Sequence, residues 1–195
     1  MLCRLHLGLE SIEFLGCNAH FLLGLSSKSN TTLTAIQKER DESRIGRDLE
    51  PQFQRFSTPE AAAVCYIRMA CEVLGPRGDE KSGCRDAWIA FCALNEKPSV
   101  IPSVKANRFS NPSEAAAALG YHRDDIVTFP RDYMPDKSSK PQSVLADATG
   151  DQVAVYLLTL ASLYFRLTEP YWQLLGSKTH DLDLLQACGP DERSA

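Results

Sequence analysis

The chain has 195 residues, 44% hydrophobic and 24% charged, which is enough for one domain with a sizeable core and excludes wholesale disorder. Its net charge of −4 argues against a stand-alone nucleic-acid binder driven by bulk charge. The expected class is a mainly α protein, an irregular helical bundle forming a single domain over 1–195, with at most a remnant strand near Phe14.

The opening MLCRLHLGLESIEFLGC carries Arg4, Glu10 and Glu13 where a signal peptide needs an unbroken apolar stretch. Glu13–Gly16 reads as a short strand. From Cys17 to Glu42 the composition suits a helix, but Gly24 and the polar, β-branched Ser26–Thr32 stretch predict a break near Asn30. A second helix then runs from about Thr32 to Ser43, with Gly46 as its stop.

The clearest helix follows. Thr58 is its expected N-cap, with Pro59 in the first helical position and Glu60 facing the helix dipole. Ala63, Tyr66, Ile67, Ala70, Val73 and Leu74 recur at three- and four-residue spacing, and Gly75-Pro76 ends the run. Past the loop PRGDEKSG, Arg85–Leu94 predicts a short helix anchored by Trp88, Phe91 and Leu94. Residues 97–113, with three prolines, read as an extended connector or hinge.

Pro112-Ser113-Glu114 opens a helix that continues weakly toward Phe129, beyond which Pro130 is expected to bar a longer one. Pro135–Pro141 reads as a solvated loop. Asp151–Leu167 is the second strong helix, and its apolar residues lie nearly all round (Val155, Leu158, Ala161 and Phe165 among them), which predicts a central position. The 13-residue apolar stretch Val153–Phe165 falls short of the roughly 20 residues of a membrane span. A short helix YWQLLG and a frayed tail at 189–195 complete the chain.

The seven cysteines include no CxxC pair, and the default is reduced, mostly buried thiols in an intracellular protein, nuclear or cytoplasmic. Cys17 and His20, one helical turn apart in CNAH, have the spacing of two zinc ligands, so zinc is the alternative to having no cofactor. Asp124-Asp125 and Asp181/Asp183 are acid pairs of a kind that holds divalent metals, but Arg123 and Arg131 lie near enough to the first pair to balance it on a solvated face. Lys97, Lys105 and Arg108 carry no acid among them and are the candidate nucleic-acid contacts. No residue is assigned a catalytic role, since no nucleophile elbow or phosphate loop is present.

FLGCNAHFLLGL resembles the Cys-x-x-His segment of hAT-superfamily transposases. NRFSNPSEAAAAL is similar to that family's Arg-Trp-Asn-Ser stretch, with Phe109 in the tryptophan's place, and LTEPYWQLL resembles a later helix. CEVLGPRGDEKSGCRDAW further resembles open reading frames of transposon origin in vertebrate genomes. The resemblance covers Cys17 to about Leu175 and implies an all-helical insertion from a ribonuclease-H-like nuclease. Catalysis in that family needs three acids, two of them before the Cys-x-x-His, where this chain offers no counterpart. The resemblance therefore implies a catalytically inactive transposase-derived fragment whose partner is DNA or another protein. Two alternatives stay open: an intracellular enzyme or metal protein using Cys17 and His20, and a helical protein-interaction module without transposon ancestry.

Overall fold

The computed structural model describes residues 2–5, 12–15, 18–42, 44–76, 84–103, 112–133 and 139–173. The chain is mainly α. A short hairpin pairs β1 (Leu2–Leu5) antiparallel to β2 (Ile12–Leu15), so the strand expected near Phe14 is present and has a partner that the sequence reading missed.

Helix α1 spans Asn18–Glu39 without the break expected near Asn30. The Thr31 hydroxyl donates to the Ser27 carbonyl at 3.0 Å and the Thr34 hydroxyl to the Asn30 carbonyl at 2.9 Å. Polar groups that compete with a helix are thereby bonded back into its preceding turn. Burial of Leu22, Leu33 and Gln37 holds the same side of α1 against the rest of the molecule. The helix stops before Gly46: Asp41 takes a left-handed conformation (φ 55°), and the Glu42 N–H bonds the Gln37 carbonyl at 2.7 Å.

Two 3-10 turns, Gly46–Leu49 and Pro51–Phe56, lead to α2 (Ala62–Leu74). Thr58 does not cap α2, which begins four residues later, and the Thr58 hydroxyl bonds the Glu60 carboxylate instead. The cap comes from α1: Asn30 Oδ1 accepts from the Ala61 N–H at 2.9 Å, and Gln37 Oε1 accepts from the Ala62 N–H at 3.1 Å. Two free donors of a buried helix start are thus satisfied across a tertiary contact. Ten of the thirteen α2 residues are buried, including all six that the periodicity had placed on its apolar face. This makes α2 the central helix, in contact with α3 (Cys84–Leu94), α4 (Pro112–Tyr121), α6 (Ser139–Ala148) and α7 (Asp151–Leu163).

In α3, Trp88 and Phe91 enter the core as expected, but Leu94 is 75% exposed and anchors nothing. Trp88 meets Phe91, His122 and Phe129 at ring-centroid distances of 5.7, 5.1 and 5.4 Å. Helix α5 (Arg123–Tyr133) contains Pro130, contrary to expectation. The proline lies in the last turn and is buried with Phe129, and that packing offsets the one missing backbone donor. The expected loop up to Pro141 also gives way at its end, because α6 starts at Ser139 with Pro141 in its first turn, where an amide hydrogen would have no helical partner.

Arg47, in the first 3-10 turn, and Asp147, in α6, form an ion pair that is almost fully shielded from solvent. The Arg47 backbone N–H donates to Asp147 Oδ1 at 2.8 Å and its Nε to Oδ2 at 2.6 Å, while Nη1 has no hydrogen-bond partner. Burial pushes the Asp147 carboxyl above its usual range against the pull of Arg47. Gly46 has φ +58°, and a Cβ there would lie 2.5 Å from Asp147 Oδ1. Only glycine allows both the turn and the approach.

Helix α7 continues through a π turn, Tyr164–Thr168, into helical residues up to Gln173. Pro170 cannot donate to the Arg166 carbonyl, and the wider turn leads into it, with the Glu169 N–H bonding the Tyr164 carbonyl. The buried Thr168 hydroxyl lies 3.3 Å from that of Ser113 on α4, which fixes the turn against its neighbour. The central position expected for α7 is not observed. One face is buried through Val153, Tyr156, Leu157, Leu160 and, as expected, Ala161, whereas Val155, Leu158 and Phe165 are 58%, 53% and 63% exposed.

Leu160→Ala is accordingly expected to cost about 2–5 kcal/mol in urea unfolding, and Leu158→Ala under about 1 kcal/mol. Equal costs would contradict the one-sided packing of α7. Asp147→Ala, which orphans a buried guanidinium, is expected to cost about 3–5 kcal/mol, and pairing it with Arg47→Met should recover much of that loss. An Asp147→Ala chain that unfolds like the native one would show the pair to be dispensable.

Candidate functional site

A group of titratable side chains forms where the segment after α3 meets the start of α5. Helix α3 ends with Glu96 in a left-handed conformation (φ 53°), and the Lys97 N–H bonds the Cys92 carbonyl at 3.0 Å. This reversal aims Lys97 at the α4–α5 corner. Its ammonium bonds the Asp125 carboxylate and the Tyr121 carbonyl, the latter at 3.1 Å, and sits 4.4 Å from the centre of the Tyr121 ring. Beyond Lys97, Ile101 is buried and Ser99 Oγ accepts from the Trp88 indole at 2.8 Å.

His122 is the fully buried residue between α4 and α5. Its Nδ1 lies 3.0 Å from Asp125 Oδ2, and its Nε2 faces the Val100 backbone N–H at 3.3 Å. A backbone N–H only donates, so Nε2 is the acceptor and Nδ1 carries the proton given to Asp125. Both nitrogens are thus occupied by partners within the chain. The Asp125 carboxylate thus gathers Lys97 and His122. Burial opposes its charge, but the bonds from Lys97 and His122 prevail and hold its carboxyl below the ordinary range. The same bond to Asp125 is the main cause holding the Lys97 ammonium above its usual value.

Beside this cluster is an open cleft of about 420 Å³ lined by Phe91, Asn95, Asp124, Asp125, Thr128 and Tyr133. Asp124 is exposed at its rim. The acid pair is therefore divided: Asp125 is balanced by Lys97 from another segment, while Arg123 reaches toward Asp151 at 3.9 Å. The sequence held one signal of this arrangement that went unread, a His-x-x-Asp spacing that puts the two side chains on one face at the α5 start. The partners Lys97 and Val100 lie too far away along the chain for any local pattern to show them.

The other candidates fall differently. Cys17 lies outside the described residues, and His20 is in the first turn of α1 with its side chain outside the description. Lys105 and Arg108 lie outside the described residues, as do Asp181, Asp183 and the tail at 189–195. Among the described residues no group of three or more His, Cys, Asp or Glu is placed to hold a metal ion, and no helix is long and apolar enough to cross a membrane. Cys65, Cys71, Cys84 and Cys92 are buried thiols. Burial pushes the Cys71 thiol up to about 12 and also raises Cys92, which disfavours the nucleophilic thiolate at both. No protein-family model, curated protein or solved structure matches the chain.

The Asp125 pairing gives a pH signature. Its folded pKa is lowered, so the stabilisation is complete above the ordinary aspartate value of about 3.9 and is lost as pH falls through the lowered one. The Lys97 contribution, with a raised folded pKa, is complete below about 10.4 and disappears as pH rises through the folded value. Asp125→Asn is expected to cost about 1–2 kcal/mol near neutrality, with the gap to the native chain closing below about pH 4. Urea titrations across pH measure this gap; one that stays constant into strong acid would rule out the charged pairing.

Proposed function

We propose that this chain is a helical binding module of hAT-transposase descent that acts by engaging another protein rather than by catalysis. The observation that carries the reading is the outer face of α7 and its π turn. Val155, Leu158 and Phe165 stand in solvent on a helix whose opposite face is in the core, and Leu167 and Trp172 extend the apolar exposure beyond them. Gly120 on α4 lies beneath Leu158, since a Cβ there would be 3.9 Å from Leu158 Cδ2. The adjacent Tyr121 is half exposed and carries the surface on to the Lys97–Asp125 cluster. Such a face retains apolar surface worth burying, roughly 25 cal/mol for each Å² removed from water.

The chemistry of the buried groups supports binding over catalysis. The two nitrogens of His122 are spent on Asp125 and Val100, and the Cys71 and Cys92 thiols are held in the protonated form. A protein partner is also favoured over DNA by the use of Lys97, whose ammonium is already paired with Asp125, and by the net charge of −4. The transposase descent rests on the CNAH, NRFSNPSEAAAAL and LTEPYWQLL strings.

A photo-crosslinking amino acid at position 158, introduced in the full chain in cells, tests the reading. Discrete protein adducts are expected, and they should weaken at least about tenfold when Val155→Glu places a charge in the same face. Absence of any protein adduct from position 158, with efficient crosslinking of a buried control position, would overturn it.

A further inference from the structure

The exposed α7 face has an internal pattern that singles out one partner. Asp151, Val155, Leu158 and Ser162 follow one another at spacings of four, three and four residues. At 100° per residue they fall within an arc of about 60° on the helix. Phe165 and Arg166, in the π turn that follows, flank the end of this stripe, one on either side of it, and all six residues are exposed. The stripe is thus apolar in the middle, acidic at its N-terminal end and basic at its C-terminal end.

That arrangement complements itself when reversed. In an antiparallel pairing of two α7 helices about a two-fold axis between Leu158 and Thr159, Asp151 of each copy comes opposite Arg166 of the other. Val155 then faces the small Ser162, leaving room for one side chain to enter beside the other, and the two Leu158 side chains meet near the axis. A parallel pairing would instead set Asp151 against Asp151 and Arg166 against Arg166. Among the described residues Asp151 is approached by Arg123 at 3.9 Å, and it is 95% exposed, so it is open to a stronger partner.

We infer that the protein bound by the outer face of α7 is a second copy of this chain, held in an antiparallel α7–α7 interface with reciprocal Asp151–Arg166 ion pairs. The inference rests on the reading of that face as a protein-binding surface and adds the identity and orientation of the partner. Apolar contact through Val155, Leu158 and Phe165 supplies the affinity, and the terminal charges select the antiparallel register. Tyr121, half exposed and next to the Gly120 that lies beneath Leu158, widens the contact beyond one helix.

Sedimentation of the purified full chain over a range of micromolar concentrations tests this. The native chain is expected to dimerise, and Leu158→Glu to be monomeric with unchanged helical circular dichroism. Asp151→Lys and Arg166→Glu should each weaken self-association about tenfold by placing like charges opposite each other. Mixed together, these two variants should form a heterodimer of near-native affinity, because each supplies the charge that the other lacks. A native chain that stays monomeric, or a mixture no tighter than its components, would overturn the inference. If adducts from position 158 in cells then contain a different protein, the binding reading survives without self-association; if there are no adducts at all, both fall.

Discussion

The Arg47–Asp147 pair is the constraint on which the arrangement of the helices depends. It joins residues 100 positions apart, the turn after α1 and the last part of α6, and it is almost wholly removed from water. A guanidinium and a carboxylate lose strong hydration on burial, and the Coulomb and hydrogen-bond gain offsets that loss only when the geometry is close. Here the carboxylate answers both the Arg47 side chain and its backbone N–H, and the glycine before it gives the carboxylate room. A displacement of α6 by even one turn would leave two buried charges unpaired. The pair therefore acts as a registry device: apolar contacts among α2, α6 and α7 tolerate sliding, whereas the ion pair does not.

With that register set, the rest of the interior follows from α2. The free backbone donors at its buried start are covered by Asn30 and Gln37 of α1, so the two helices are tied by hydrogen bonds as well as by packing. On the far side, the Trp88 ring organises an aromatic group with Phe91, Phe129 and His122. His122 belongs to this packing as much as to the polar cluster. Its ring edges contact Trp88 and Tyr121, while its nitrogens tie the segment at Val100 to α5. The imidazole is in effect a bolt between connector and helix, and the Lys97–Asp125 pair closes the same joint from the solvent side.

The outer face of α7 stands apart from this economy. Residues 153, 156, 157 and 160 bury their side chains, yet the opposite stripe also carries large apolar side chains, Val155, Leu158 and Phe165. A helix that is apolar on both sides and covered on one is a boundary element, suited to meeting a second surface. The oppositely charged ends of the stripe, Asp151 and Arg166, give that surface a direction. Function in this reading comes from packing and charge placement at a surface, and the titratable groups of the interior serve the fold.

The sequence by itself determined the helical class, the existence of α2 and its buried face, and the existence of α3 and α7, because apolar periodicity reports directly which side of a helix avoids water. It also placed the strand near Phe14. Only the tertiary structure decided what local propensity had misjudged. Asn30 is helical because its side chain caps another helix, Thr58 is passed over as a cap because α1 supplies one, and Pro130 and Pro141 are accommodated where packing or a helix start excuses the missing donor. The same holds for the candidate site, since Lys97 and Val100 meet Asp125 and His122 only after the chain has folded back across more than twenty residues. Periodicity records which residues shun water, but which of two apolar faces is covered, and which polar groups find each other, are settled by contacts between segments that no local pattern contains.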